Sequence, residues 1–162
     1  MPKKIVTGII FAAITITSVT VISVLSNSNV FAQEEKFTAQ LSGKQEVPPT
    51  NSKATGIAEF TVIGQSIKFT VNASNIEGVT AAHIHVGKPG KNGFIIATLF
   101  KNNSPTNKVS ETGSITSDTG AFEYVTDLTT PMSDGETYID IHTQQNPGGE
   151  IRGQITSSNG GH

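Results

Sequence analysis

The sequence contains no cysteine. This absence excludes disulfide bonds, thiolate metal sites, cysteine nucleophiles and the blue-copper type of electron-transfer site, which requires a cysteine ligand. No basic patch with interleaved aromatic residues is present, so binding to nucleic acid is not predicted. The chain also lacks a Gly-x-Ser-x-Gly motif, a phosphate-binding Walker loop and a nucleophile–base pairing. We therefore predict no catalytic residues and expect a binding protein rather than an enzyme.

The N-terminal segment has the layout of a secretory signal. Lys3 and Lys4 precede an almost uncharged apolar run over residues 5–25, and Val30-Phe31-Ala32 places small or apolar residues where a signal peptidase reads. This pattern predicts a signal peptide over residues 1–32. An uncleaved membrane anchor is the alternative, because the run is about long enough to span a bilayer. In either case we expect the remaining chain to be secreted or held at the cell surface.

The rest of the sequence is typical of an all-β domain. Short runs of alternating apolar residues are separated by clusters of Gly, Asn, Asp, Ser and Pro, with no convincing helix. We predict one domain over residues 33–156 and a flexible tail over residues 157–162. The expected fold is a single Greek-key β-sandwich or flattened barrel of about eight or nine antiparallel strands. Gly64-Gln65 predicts a two-residue hairpin turn, and residues 101–108 are expected to form a polar loop. Residues 121–125 are expected to form a strand, and residues 128–135, which contain Pro131, a long connection.

Three of the four histidines lie on two predicted strands. Side chains alternate between the faces of a strand, so His83 and His85 share one face while Ala82, Ile84 and their neighbours face the core. The second strand places Tyr138, Asp140 and His142 on its polar face in the same way. If the two strands are neighbours, three imidazoles converge, and imidazole suits copper or zinc. The alternative is that these histidines are hydrogen-bonded surface or interface residues.

The last predicted strand carries Glu150 and Arg152 on one face. If this strand adjoins the His142 strand, Glu150 is expected to orient a histidine as a hydrogen-bond acceptor, and Arg152 to draw anions toward the site. A plain Glu–Arg surface pair is the alternative. Glu46 is a lone carboxylate on a loop, and we expect it to bind a neighbouring backbone.

Two sequence triplets are candidate N-glycosylation acceptors in an exported chain. They begin at Asn72 and Asn102. Asn102 is the preferred candidate, because the sequence places it in a loop and Asn72 near a strand end.

Four segments form one further pattern along the chain. They are Phe37 with Leu41-Ser42-Gly43 and Gln45-Glu46-Val47-Pro48-Pro49; Ala82-His83-Ile84-His85 with Gly87, Gly90 and Asn92-Gly93; Tyr138 with His142-Thr143; and Pro147-Gly148-Gly149-Glu150-Ile151-Arg152-Gly153-Gln154-Ile155. In this order they resemble the signature of the CHRD domain, which was first recognised in chordin and also occurs singly in secreted microbial proteins. The resemblance implies an extracellular protein-interaction or matrix module with an extracellular protein or cell-surface partner.

A second and more distant resemblance concerns copper–zinc superoxide dismutase, a Greek-key β-barrel. By motif, His83 and His85 are similar to its paired copper ligands, His142 to its late copper ligand, and Arg152 to the arginine near its copper. The chain has no counterpart of the metal-bridging histidine, of the zinc loop or of the disulfide. These departures argue against dismutase catalysis, while the resemblance implies a superoxide-dismutase-like fold.

Together these patterns predict a secreted binding domain that holds one copper or zinc ion through three histidines. The alternative is an interaction module whose histidines are structural. A dismutase-like redox enzyme is the third hypothesis. Membrane contact is expected only if residues 1–32 stay uncleaved.

Overall fold

Nine strands and one helix make up the part of the chain that the structure describes. The computed structural model describes residues 34–158, so the predicted signal segment lies outside the described residues. The elements are β1 (Lys36–Ser42), a 3₁₀ turn (Gly43–Gln45), β2 (Thr55–Ile63), β3 (Ser66–Ser74), β4 (Val79–Val86), β5 (Ile95–Thr106), β6 (Val109–Ile115), α1 (Val125–Ser133), β7 (Thr137–Thr143), β8 (Ile151–Gln154) and β9 (Thr156–Ser157). The predicted all-β class and strand number are confirmed. Within residues 34–158, no helix is both long and apolar enough to cross a membrane.

The strands form one antiparallel sheet that is nearly closed into a barrel. Their order is β5-β4-β7-β8-β1-β2-β3-β6, and β9 adds to β1. Strand β4 is therefore internal, with β5 on one side and β7 on the other. This order makes the two histidine strands direct neighbours, as the sequence analysis required for a shared site.

The hairpin between β2 and β3 turns at Gly64-Gln65, as predicted. Gly64 has a φ of 59°, in the left-handed region that favours glycine. Gln65 is not among the residues with positive φ, which agrees with a turn that needs a positive φ only at its first central position.

Isoleucine dominates the interior of the barrel. Alternation along β4, β7 and β8 sends one face of each strand into this interior and leaves the polar side chains on the other face. The isoleucines that are at most 1% exposed are Ile67, Ile84, Ile115, Ile139, Ile141, Ile151 and Ile155. Burying each of them stabilises the fold by about 1.5–3 kcal/mol. This core therefore holds β4, β7 and β8 in fixed register.

The expectation that the chain has no helix is wrong, because residues 125–133 form α1. Its buried residues Val125, Leu128, Thr129 and Met132 follow the helical spacing. The carboxylate of Asp127 accepts hydrogen bonds from the backbone N–H groups of Glu123 and Tyr124 and so caps the helix start. Pro131, which led us to expect a connection over residues 128–135, lies inside α1, where its missing N–H leaves the helix one hydrogen bond short.

Three smaller expectations are also corrected. Residues 101–106 continue β5 instead of forming the predicted loop. Residues 121–125, expected as a strand, form none, and only a single bridge joins Ala97 to Gly120. Ser157, placed in the flexible tail by the sequence analysis, pairs with Phe37 as part of β9.

We predict that Ile139→Ala lowers the free energy of unfolding by about 2–5 kcal/mol, because it leaves a cavity at a position that is 0% exposed. Chemical denaturation of the purified protein measures this loss. The matched control is Ile63→Ala on β2, where the side chain is 43% exposed and the expected loss is below about 1 kcal/mol. Equal losses in the two variants would contradict the assigned core.

Candidate metal centre

The register between β4 and β7 brings the three predicted histidines together. His83 lies opposite Asp140, and His85 lies opposite Tyr138. His142 is two residues beyond Asp140 on the same strand, so its side chain lies on the same face. The expected adjacency of the histidine strands is therefore confirmed. The fourth histidine, His162, lies outside the described residues.

Asp140 lies at the centre of this group. Its Oδ1 is 3.0 Å from His142 Nε2 and 3.2 Å from His85 Nε2. One ligand atom from each of His83, His85, Asp140 and His142 lies within 4.8 Å of the others. Sequence reasoning placed Asp140 on the polar face but did not include it in the site. The signal that would have identified it is its spacing of two residues from His142.

The histidine rings pack against one another. The ring centroids of His83 and His142 are 4.8 Å apart, and those of His83 and His85 are 6.0 Å apart. The whole group is more buried than a solvated strand face, since Asp140 is 2% exposed and His85 is 8% exposed. The polar face of the two strands is thus covered by protein, which the sequence pattern did not predict.

Backbone carbonyls fix the orientation of two of the rings. His85 Nδ1 lies 3.0 Å from the carbonyl oxygen of Gly93, and His142 Nδ1 lies 2.9 Å from that of Pro147. A carbonyl oxygen only accepts hydrogen bonds, so each Nδ1 carries a hydrogen and donates it. In the neutral rings Nε2 then has the free lone pair, and in both residues Nε2 faces Asp140.

Two buried ring nitrogens have no hydrogen-bond partner among the described residues. They are His83 Nδ1 and His85 Nε2, and the latter lies 3.2 Å from Asp140 Oδ1 as its one ionic neighbour. Leaving a buried polar atom unpaired costs about 1–3 kcal/mol. A cation at the centre of the group would supply both nitrogens with a partner.

The pKa values of His83 and His142 are shifted in opposite directions. Burial and the neighbouring His142 lower the pKa of His83 to about 4, so this ring is neutral at pH 7. Burial also lowers the pKa of His142, but the hydrogen bond and charge of Asp140 raise it by more, so the net pKa is above the ordinary 6.5. Burial raises the pKa of Asp140, and the contacts of His142 and His85 lower it by more, so the carboxyl is ionised.

The comparison with protein families gives a clear match. The family model of the CHRD domain matches residues 37–155, which is most of the chain and nearly all of the described domain. The chain belongs to the CHRD-domain family. No curated protein and no solved structure matches the chain. The more distant resemblance to copper–zinc superoxide dismutase therefore rests on the histidine pattern alone.

Glu46 is a further buried acid of this CHRD domain. It is 6% exposed, its carboxylate packs against Gly149, and Oε1 finds no partner in residues 34–158. Burial and the charge of Asp140 raise the pKa of Glu46 to about 7. We expected Glu46 to bind a neighbouring backbone, whereas its carboxyl is near enough to the histidine group to sense its charges.

Glu150 and Arg152 lie in different surroundings. The Glu150 carboxylate accepts hydrogen bonds from Thr143 Oγ1 at 3.0 Å and from Asn146 Nδ2, so it contacts the loop after His142 instead of a histidine ring. Arg152 is 1% exposed and lies opposite Asp140 in the β7–β8 register. Its guanidinium donates to the carbonyl oxygen of Lys91 at 2.9 Å. Because Arg152 is buried and Glu150 has other partners, the alternative of a Glu150–Arg152 surface pair is wrong.

The two candidate glycosylation acceptors both lie in strands. Asn102 is part of β5, so its placement in a loop is wrong, and its side-chain amide donates to the carbonyl oxygen of Val79 at 3.1 Å. Asn72 lies in β3 with its side chain exposed. Glycosylation at either position stays a prediction.

We predict that Asp140→Asn lowers the pKa of His142 in the metal-free protein, because the variant removes the negative charge that raises it. The pH titration of the histidine ring signals by NMR measures this change. Asp118→Asn, in an exposed turn, is the matched control and leaves the His142 signal unchanged. An unaltered His142 titration in Asp140→Asn would show that the carboxylate does not act on this ring.

Proposed function

We propose that this CHRD domain binds one divalent transition-metal ion, copper or zinc, outside the cytoplasm. His83, His85, His142 and Asp140 are the proposed ligands. The observation that carries the proposal is the convergence of four ligand atoms within 4.8 Å. Buried ring nitrogens of His83 and His85 that form no hydrogen bond among the described residues support it. The signal-like segment over residues 1–32 supports the proposed location.

The donor set fits an ion of this class. Three imidazoles and one carboxylate are ligands that zinc and copper accept, and no thiolate is needed. Bond lengths of about 2.0–2.2 Å in a tetrahedral site place neighbouring ligand atoms about 3.3 Å apart. The distances of 3.0 Å and 3.2 Å around Asp140 match this separation. The remaining separations, at most 4.8 Å, require the rings to contract slightly around the ion.

The ligand count favours binding over catalysis. Four protein ligands complete a tetrahedral shell, as in structural zinc sites, whereas catalytic sites keep one position for water or substrate. We therefore propose a role in holding or handling metal at the cell surface, and not a dismutase-like enzyme. The metal-loaded protein should consume no superoxide above the level of the metal-free protein.

A second candidate function follows from membership of the family. The CHRD domain suggests an extracellular protein-interaction module. In that case the histidine group is structural, and Asp140 is balanced by a protonated His142 without any ion. The two functions differ in whether metal binds at all.

We predict that the purified protein binds Cu(II) and Zn(II) with one ion per chain, measured by titration calorimetry. The variant His83→Ala/His85→Ala/His142→Ala should bind neither, because only one carboxylate ligand remains. His162→Ala removes the one other histidine of the sequence and serves as the control that binds as the wild type does. Negligible binding by the wild type would reject the metal site and leave the interaction module.

We predict that metal affinity falls as the pH is lowered through the raised pKa of His142. The proton on His142 Nε2 competes with the ion for the same lone pair. Because the pKa of His142 lies above the ordinary value of 6.5, this competition begins above pH 6.5. Displacement of one proton makes the affinity fall about tenfold per pH unit below this pKa. Calorimetric titrations between pH 5.5 and 8 measure the slope. A constant affinity over this interval would contradict ligation by His142.

A further inference from the structure

Tyr138 lies beside the proposed ligands without being one of them. It is 3% exposed, and it lies opposite His85 in the β4–β7 register and opposite Gln154 in the β7–β8 register. Its two contacts with the site are of different kinds.

The first contact is made by the ring. The Tyr138 and His85 rings are stacked, with centroids 4.8 Å apart and planes 8° apart. Arg152 Cζ lies 3.3 Å from the centroid of the same Tyr138 ring. Since β7 runs between β4 and β8, the Tyr138 ring lies between the imidazole and the guanidinium. The cation–π contact fixes the tyrosine, and the tyrosine in turn limits rotation of the His85 ring.

The second contact is made by the hydroxyl. Tyr138 Oη accepts a hydrogen bond from the backbone N–H of Gly93 at 3.2 Å, and the carbonyl oxygen of Gly93 accepts from His85 Nδ1 at 3.0 Å. One residue thus connects the tyrosine hydroxyl to the imidazole. Only glycine fits at position 93, because a Cβ would collide with the carbonyl oxygen of Val86.

The hydroxyl decides between two tautomers of His85. A hydrogen on Nδ1 pairs with Gly93 and leaves Nε2 free for an ion. A hydrogen on Nε2 instead faces Asp140 Oδ1, which is 3.2 Å away. Anchoring Gly93 therefore favours the tautomer that can ligate through Nε2 over the one that Asp140 attracts.

We propose that Tyr138 is a positioning residue of the metal centre, which holds His85 in the orientation and tautomer that present Nε2 to the ion. This inference rests on the metal binding proposed above. The alternative is that Tyr138 has a packing role alone and fills space in the barrel wall.

Tyr138→Phe separates the two roles, because it keeps the ring stack and removes the hydroxyl. In the metal-free full chain at pH 8, ¹⁵N histidine spectra should show the Nδ1–H tautomer of His85 in the wild type and a shift toward Nε2–H in Tyr138→Phe. Affinity for Cu(II) should fall about tenfold, the lower end of the loss seen when a group supporting a metal-bound histidine is removed. Tyr138→Leu, which also removes the stack, should lose more, up to about a hundredfold.

Phe60→Leu is the control for loss of a buried aromatic ring. Phe60 is 1% exposed on β2, away from the histidine strands in the sheet order. This variant should unfold more easily yet keep the His85 tautomer and the wild-type affinity. An unchanged tautomer in both Tyr138 variants overturns the proposal. The tautomer is measured without metal, so this result is distinct from a failure of the wild type to bind an ion.

Discussion

The buried charge of Asp140 is the constraint on which the site depends. An ionised carboxylate that is 2% exposed is stable only when nearby groups replace the water it has lost. Two imidazoles approach Oδ1 within 3.2 Å, and the carbonyl oxygens of Gly93 and Pro147 hold the other side of each ring. Either a proton on His142 or the proposed cation at the centre of the group balances the charge, so the geometry that stabilises the fold is also the geometry that the proposed ion site requires.

Alternation along two strands was sufficient to predict which side chains share a face. The pattern around His83 and His142 placed three imidazoles, all of them proposed ligands, on the polar faces because the period of a strand is two residues. It did not identify Asp140 as their partner, since periodicity contains no cross-strand distance and register is set by pairing over the whole sheet. Nor did it predict the burial of this face. That burial depends on the loop that contains Gly93 and on the segment that contains Glu46, whose paths are fixed by tertiary contacts.

The missed helix shows a different limit. Pro131 argues against a helix in a local reading, yet it lies inside α1, so the packing of the buried helix face outweighs the hydrogen bond that its missing N–H removes. The spacing of Val125, Leu128, Thr129 and Met132 would have predicted the helix. Threonines on this segment masked the spacing, because Thr129 is a polar residue type that the structure nonetheless buries. Local propensity was overruled by packing against the barrel.

The buried ring nitrogens bear on the choice between the proposed ion site and a purely structural cluster. A domain of this size has a net stability of about 5–15 kcal/mol, and this chain has no disulfide to add to it. His83 Nδ1 is buried with no hydrogen-bond partner in the described range, at a cost of about 1–3 kcal/mol, and His85 Nε2 has only the carboxylate of Asp140, 3.2 Å away. A cluster that served stability alone would gain from apolar residues in these positions. A bound ion would remove this energetic cost by giving the nitrogens a partner. The carbonyls of Gly93 and Pro147 already orient two of the rings for such an ion.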